Sequence, residues 1–203
     1  TLPSRGLGDV YKRQVYDEEG WHADVFHAEG EFYGEFGDFN VRFDIPKSFI
    51  IAASGVVVEG NPGWEDVVVD TSIEYNVWLD IHNSNLFESS ENERRIVTFL
   101  AENVHDFAWV ASKDFLYEGG LSKDGKTKVH VLYDKQRGEN WTKVVLERSI
   151  NALNWLEQKF GQYPYPQITT TDRIKSGGME YPMLVMNGRD SESLIVHEYG
   201  HIY

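Results

Sequence analysis

Apolar and polar positions alternate over much of the chain, the two-residue period of half-buried strands. Phe39, Val41, Phe43 and Ile45 alternate with polar neighbours and stop at Pro46. Ile73, Tyr75, Val77, Leu79 and Ile81 repeat the pattern with Trp78 on the opposite face, which predicts another strand. Residues 67–69, 96–100, 107–110 and 129–133 are further strand candidates. Gly37-Asp38, Asn61-Pro62-Gly63, Gly119-Gly120 and Asp124-Gly125 read as the turns between them. Many short strands divided by such clusters predict an antiparallel sandwich or curved sheet over 15–137. Aromatic residues at alternate positions then serve core and cross-strand packing.

Near Arg137-Gly138 the period changes. Leu146, Ile150, Leu153, Leu156 and Phe160 recur at steps of three and four, an amphipathic helix. Asn140 is its expected cap, Gly161 its expected C-terminal glycine, and Pro164 and Pro166 its stops. Residues 168–174 predict a short strand. Strands first, then helix, strand, loop and helix, describe an all-β domain followed by the start of an α+β domain over 138–203.

Composition narrows the function classes. The chain has 203 residues, 41% hydrophobic and 26% charged, as in globular proteins. Its formal net charge of −14 disfavours nucleic acid and anionic membranes as partners, because both would repel it. No apolar run approaches the ~20 residues of a membrane span. There is no cysteine, so disulfides and thiol chemistry are excluded. Residues 1–14 (TLPSRGLGDVYKRQ) differ in character from the rest of the chain and are expected to be a non-native or disordered leader. His22, His27, His82, His105 and His130 are scattered, and their neighbours Asp24 and Glu29 lack helical spacing, so they make a weak metal case. Glu88, Glu91 and Glu93 read as a solvated loop.

The stretch from Asp190 to Tyr203 carries the chemistry. It contains His197-Glu198-Tyr199-Gly200-His201, an H-E-x-x-H. Two histidines four apart on a helix offer imidazole nitrogens from adjacent turns, which suits zinc. Glu198, beside the first of them, is placed to take a proton from the attacking water and pass it to a leaving amine. Leu194, His197, Glu198 and His201 share one side of the helix, while Ile195, Tyr199 and Ile202 form a separate apolar stripe. Asp190 or Ser191 is the expected cap. A zinc peptidase site also needs a third protein ligand, and only two residues follow His201.

Upstream, Ser176-Gly177-Gly178-Met179-Glu180-Tyr181-Pro182-Met183 reads as a loop whose glycines let backbone run close to another chain. Glu180 would suit a protonated amine. Together, Gly-Gly-Met-Glu-Tyr-Pro and His-Glu-Tyr-Gly-His resemble the aminopeptidase N / leukotriene hydrolase family of zinc metallopeptidases. That family carries a G-x-M-E-N segment upstream of H-E-x-x-H and a further Glu ligand beyond the second His. Val104-His105-Asp106-Phe107-Ala108-Trp109-Val110-Ala111-Ser112 is similar to a strand closing the family's N-terminal saddle-shaped β domain, and the segment from Gly30 to Phe39 resembles its early strands.

The resemblance implies a mainly β N-terminal domain followed by the truncated start of a thermolysin-like α+β peptidase domain. His197 and His201 would ligate one zinc ion, and Glu198 would be the general base. Glu180 would hold the α-amine of peptides with a free N-terminus, and the backbone of Gly177 and Gly178 would line the substrate track. The family's third Glu ligand and transition-state Tyr would lie beyond Tyr203, so the chain by itself is expected to be inactive. Tyr181 stands where the family has Asn, which keeps open a zinc endopeptidase or hydrolase of altered specificity. A non-catalytic peptide-binding module with a degenerate site is the other alternative. Exported bacterial members make an extracytoplasmic location the expectation.

Overall fold

A computed structural model describes residues 14–23, 34–84 and 93–203. The expected leader up to Arg13, the cluster Asp24, His27 and Glu29, and Glu88 and Glu91 lie outside the described residues, as does the start of the Gly30–Phe39 segment. The first elements are a hairpin of β1 (Gln14–Asp17) and β2 (Gly20–Ala23).

Strand β3 (Gly37–Pro46) follows the alternation of Phe39 to Ile45. It pairs antiparallel with β6 (Arg94–Val104), with Val41 opposite Phe99 and Phe43 opposite Val97. On its other edge β6 receives β5 (Val56–Gly60), completing a three-stranded sheet. A second layer is the antiparallel pair β4 (Ile50–Ala53) and β7 (Trp109–Ser112). Phe43, Val97 and Phe99 bury themselves against Ile51 and Ala53 of that pair.

A five-stranded sheet lies beyond. It orders β11 (Gly178–Tyr181), β12 (Leu184–Asn187), β10 (Gln167–Thr171), β9 (Lys128–Asp134) and β8 (Phe115–Leu121) from edge to edge. The three central strands are parallel, and both edge strands run antiparallel to their neighbours. The sheet therefore spans residue 137, where the sequence period changes. One face, carrying Phe115, Leu132 and Leu184, packs on Ile50, Ala52 and Val67 from the preceding layer. The other, carrying Leu116, Val129, Val131, Tyr133, Ile168 and Val185, is covered by helices. These are α1 (Tyr75–Ser84), the single turn α2 (Gly138–Trp141), α3 (Val144–Phe160) and α4 (Glu192–His201).

Four expectations are corrected. The alternation from Ile73 to Ile81 forms helix α1, not a strand. Tyr75, Trp78 and His82 lie at helical spacing, and Tyr75 and Trp78 enter the core, while Ile73, Val77 and Ile81 stay exposed. The Glu74 carboxylate accepts from the N–H groups of Asn76 and Val77 and so caps the first turn. Residues 64–67 form a short 3₁₀ turn, leaving Val68 with a single bridge to Tyr117 in place of the expected strand. Gly119-Gly120 lies inside β8 rather than in a turn: a side chain at Gly119 would collide with the Tyr117 hydroxyl. Asn140 falls within α2 and does not cap the long helix. The entry to α3 is Lys143, whose N–H donates to the buried carboxylate of Glu118 at 2.9 Å. Gly161 does end α3, donating its N–H to the Glu157 carbonyl at 3.0 Å.

Candidate metal centre

Helix α4 is held by its apolar side. Ile195 and Tyr199 are fully buried against the sheet, and the Tyr199 hydroxyl shares a 2.7 Å hydrogen bond with the Thr170 hydroxyl of β10. Ser191 occupies the N-cap position without a side-chain cap bond; its hydroxyl pairs with Ser193. The Asp190 carboxylate, an expected cap, is instead bound by Arg148 of α3 at 2.6 Å. The loop into α4 is thus fixed by an ion pair to the neighbouring helix.

That anchoring turns His197 and His201 outward, both exposed, with their Nε2 atoms 3.2 Å apart. Two imidazole nitrogens at tetrahedral positions around zinc, each about 2.0–2.1 Å from the ion, stand about 3.3 Å apart. The donor pair fits the ion in chemistry and in spacing. Among the described residues no group of three or more His, Asp or Glu could hold a metal, and this pair offers two candidate nitrogens.

Glu198 parts company with the two histidines. It is 3% exposed and its carboxylate lies over Gly178, in the space a Cβ there would fill. Gly178 belongs to the edge strand β11, not to the loop that the sequence suggests. The hairpin of β11 and β12 turns over Pro182 and Met183, with Met183 at φ 64 and buried against Ala101 and Val104. Pro182 sets the first turn position, and Met183 takes the left-handed conformation at the second.

The ladder fixes which groups face outward. Gly188 donates its N–H to the Gly177 carbonyl at 2.9 Å, so the Gly177 carbonyl is already engaged within the hairpin. Pairs alternate along an antiparallel ladder, so Gly178 with Asn187 and Glu180 with Val185 are the non-hydrogen-bonded pairs. The backbone N–H and C=O groups of Gly178 and Glu180 consequently point to the free edge of the sheet. The side chain of Glu180, half-buried, lies on the same face as Gly178, the face that α4 covers. One strand edge therefore gathers Glu180, the Gly178 backbone and the Glu198 carboxylate beside the histidine pair.

Beyond the C-terminal ends of β9 and β10 a cleft of about 290 Å³ is lined by Asp134, Gln136, Arg137, Asp172, Arg173, Ile174 and Lys175. Its buried Asp172 accepts from Arg173 and from the Asp134 N–H. Asn187, at the end of β12, is not singled out by any pattern in the sequence. It is fully buried.

No family model matches the chain, and no curated protein sequence matches it. Solved structures do. An M1 zinc metallopeptidase from Deinococcus radiodurans is similar with a TM-score of 0.56 at 15% identity, over 83% of this chain and 34% of that one. A two-domain M1 zinc metallopeptidase variant bound to L-tryptophan is similar with a TM-score of 0.55 at 14% identity, over the same shares. The variant bound to L-arginine gives 0.55 at 15% identity, over 82% of this chain and 34% of that one. At such identity the likeness concerns the fold: the mainly β architecture is that of M1 zinc metallopeptidases. The chain spans about a third of the length of these structures. No helix among the described residues is long and apolar enough to cross a membrane.

Proposed function

We propose that the chain carries part of the active centre of a zinc aminopeptidase, residues 138–203 being the start of a thermolysin-like catalytic domain. The observation that supports this most directly is the 3.2 Å approach of His197 Nε2 and His201 Nε2, next to a buried Glu198 carboxylate. His197 and His201 would hold one zinc ion, with a third ligand supplied by sequence following Tyr203. When bound, the ion would polarise the scissile carbonyl and acidify the attacking water.

The residues of this chain do the rest. An extended peptide adds to the free edge of β11, bonding the outward backbone groups of Gly178 and Glu180. The Glu180 carboxylate, on the face toward α4, takes the peptide's α-ammonium and limits cleavage to the first residue. Glu198 accepts the proton of the attacking water and returns it to the leaving amine. Its burial shields that carboxylate from bulk water.

The test uses the protein with its natural downstream sequence, measuring zinc content and hydrolysis of aminoacyl-anilides and of N-blocked peptides. One zinc per chain, with activity on free N-termini lost in both Glu180→Ala and Glu198→Ala, is expected. Zinc with cleavage only of blocked or internal peptides would favour the endopeptidase alternative, which Tyr181 at the family's Asn position motivates. No zinc and no hydrolysis would leave a binding module.

A further inference from the structure

Asn187 is the last residue of β12, directly opposite Gly178 in a non-hydrogen-bonded pair. In such pairs the Cα atoms approach to about 4.5 Å and the side chains leave the sheet on the same face. That face is fixed independently. Val185, two residues earlier on the same strand, packs with Ile195 and Tyr199 of α4, while Leu184 and Met186 join the opposite cluster. The Asn187 carboxamide and the Glu198 carboxylate above Gly178 therefore occupy neighbouring positions under the metal-binding helix.

Asn187 is 0% exposed, and among the described residues neither its Nδ2 nor its Oδ1 has a hydrogen-bond partner. A buried carboxamide left with no bond on either atom is costly to a folded protein, because both groups give up their bonds to water. Buried polar groups are met by protein or by ordered water, and a polar niche beside a carboxylate is where such water is held. An apolar side chain would line the same niche without that cost, so an amide at this place has a polar counterpart.

We propose that Asn187 is a positioning residue for Glu198, coupled to it through one ordered water that accepts from Nδ2 and donates to the carboxylate. The bond holds the Glu198 carboxylate in its rotamer over Gly178. This rests on the peptidase reading for its consequence, but the Asn187–Glu198 coupling is a property of this chain alone.

Two measurements test it. In the first, side-chain amide NMR of this chain compares wild type with Glu198→Gln and with Glu180→Gln. The Asn187 NH2 pair should be slowed in solvent exchange, shift in the Glu198 variant and stay in place in the Glu180 variant. In the second, the protein with its downstream sequence is assayed as Asn187→Leu and Asn187→Ser. The Leu variant should lose about tenfold in kcat with KM within about twofold and zinc content unchanged, and Ser, which leaves room for water, should recover part. An Asn187 amide indifferent to Glu198→Gln, or a zinc-loaded Leu variant with full kcat, would overturn the proposal. Wild type that turns over no peptide would sink the peptidase reading, and the amide shifts would then decide the coupling by themselves.

Discussion

The carboxylate of Glu198 occupies the place where Gly178 lacks a side chain. One residue lies on helix α4 and the other on the edge strand β11, so the two segments singled out in the sequence pack against each other. Gly178→Ala would drive a Cβ into the carboxylate. Glu198, 3% exposed, would have to move off the strand edge to make room for it. On the proposed function, the protein with its downstream sequence should lose roughly 100-fold in activity with zinc content retained, since small misplacements of a catalytic group carry costs of that order. The chain should lose about 1–3 kcal/mol in denaturant unfolding.

Two imidazoles make a weak zinc site. Zinc should bind this chain with far lower affinity than a three-ligand site, raising the unfolding midpoint slightly by mass action. Replacing His197 or His201 with Ala should abolish that shift, and Glu198→Gln should leave it in place. Equal zinc stabilisation of the His197 variant would show that the metal binds elsewhere.

Tyr199, between Glu198 and the second histidine, works through the helix's buried side. Its hydroxyl bonds Thr170, which also approaches Ser149 of α3 at 3.2 Å. Tyr199→Phe should cost about 1–2 kcal/mol in stability, the net worth of a buried hydrogen bond plus an under-satisfied partner. Thermal unfolding measures it.

His130 predicts a pH dependence. Burial, and to a smaller degree the charge of Lys128, lower its pKa from 6.5 to about 4, while its Nδ1 is bonded to the Tyr117 hydroxyl. A histidine depressed in the folded state contributes stability that is present above its unfolded value and lost as pH falls through the folded one. Between about pH 6.5 and pH 4 this single group should remove up to about 3 kcal/mol. His130→Gln should flatten the stability profile in that window relative to wild type; parallel profiles would exclude the effect.

The H-E-x-x-H helix was legible because its signal is local: two histidines and a glutamate at helical spacing, with Ile195 and Tyr199 on a separate stripe. The strands β3, β6 and β9 were legible for the same reason, each having one wet face or a clear apolar run. The segment Ile73–Ile81 misled because the exposed Val77 and Ile81 complete an alternation with Tyr75 and Leu79, although Asn76, Asp80 and Asn83 share one polar side of α1 and Trp78 packs in the core. Gly119 and Gly178 misled in a second way. Glycine marks turns, but it also marks places where another group must come close, and the sequence does not distinguish the Tyr117 ring or the Glu198 carboxylate from empty space. Asn187 was invisible, since its position opposite Gly178 depends on a pairing register that only the fold supplies.

That register hangs on a hairpin loop of two residues, Pro182 and Met183. Side chains alternate between faces along a strand, so inserting one residue at the tip and sliding the ladder by one step would turn Gly178 and Glu180 away from α4. Glu198 would then meet a side chain where it now meets none, and Glu180 would face the opposite layer. His197 and His201 would be untouched. A chain altered in this way would keep the H-E-x-x-H motif and lose the contact between Glu198 and Gly178, so loop length at this hairpin reports on that contact more sharply than the motif does.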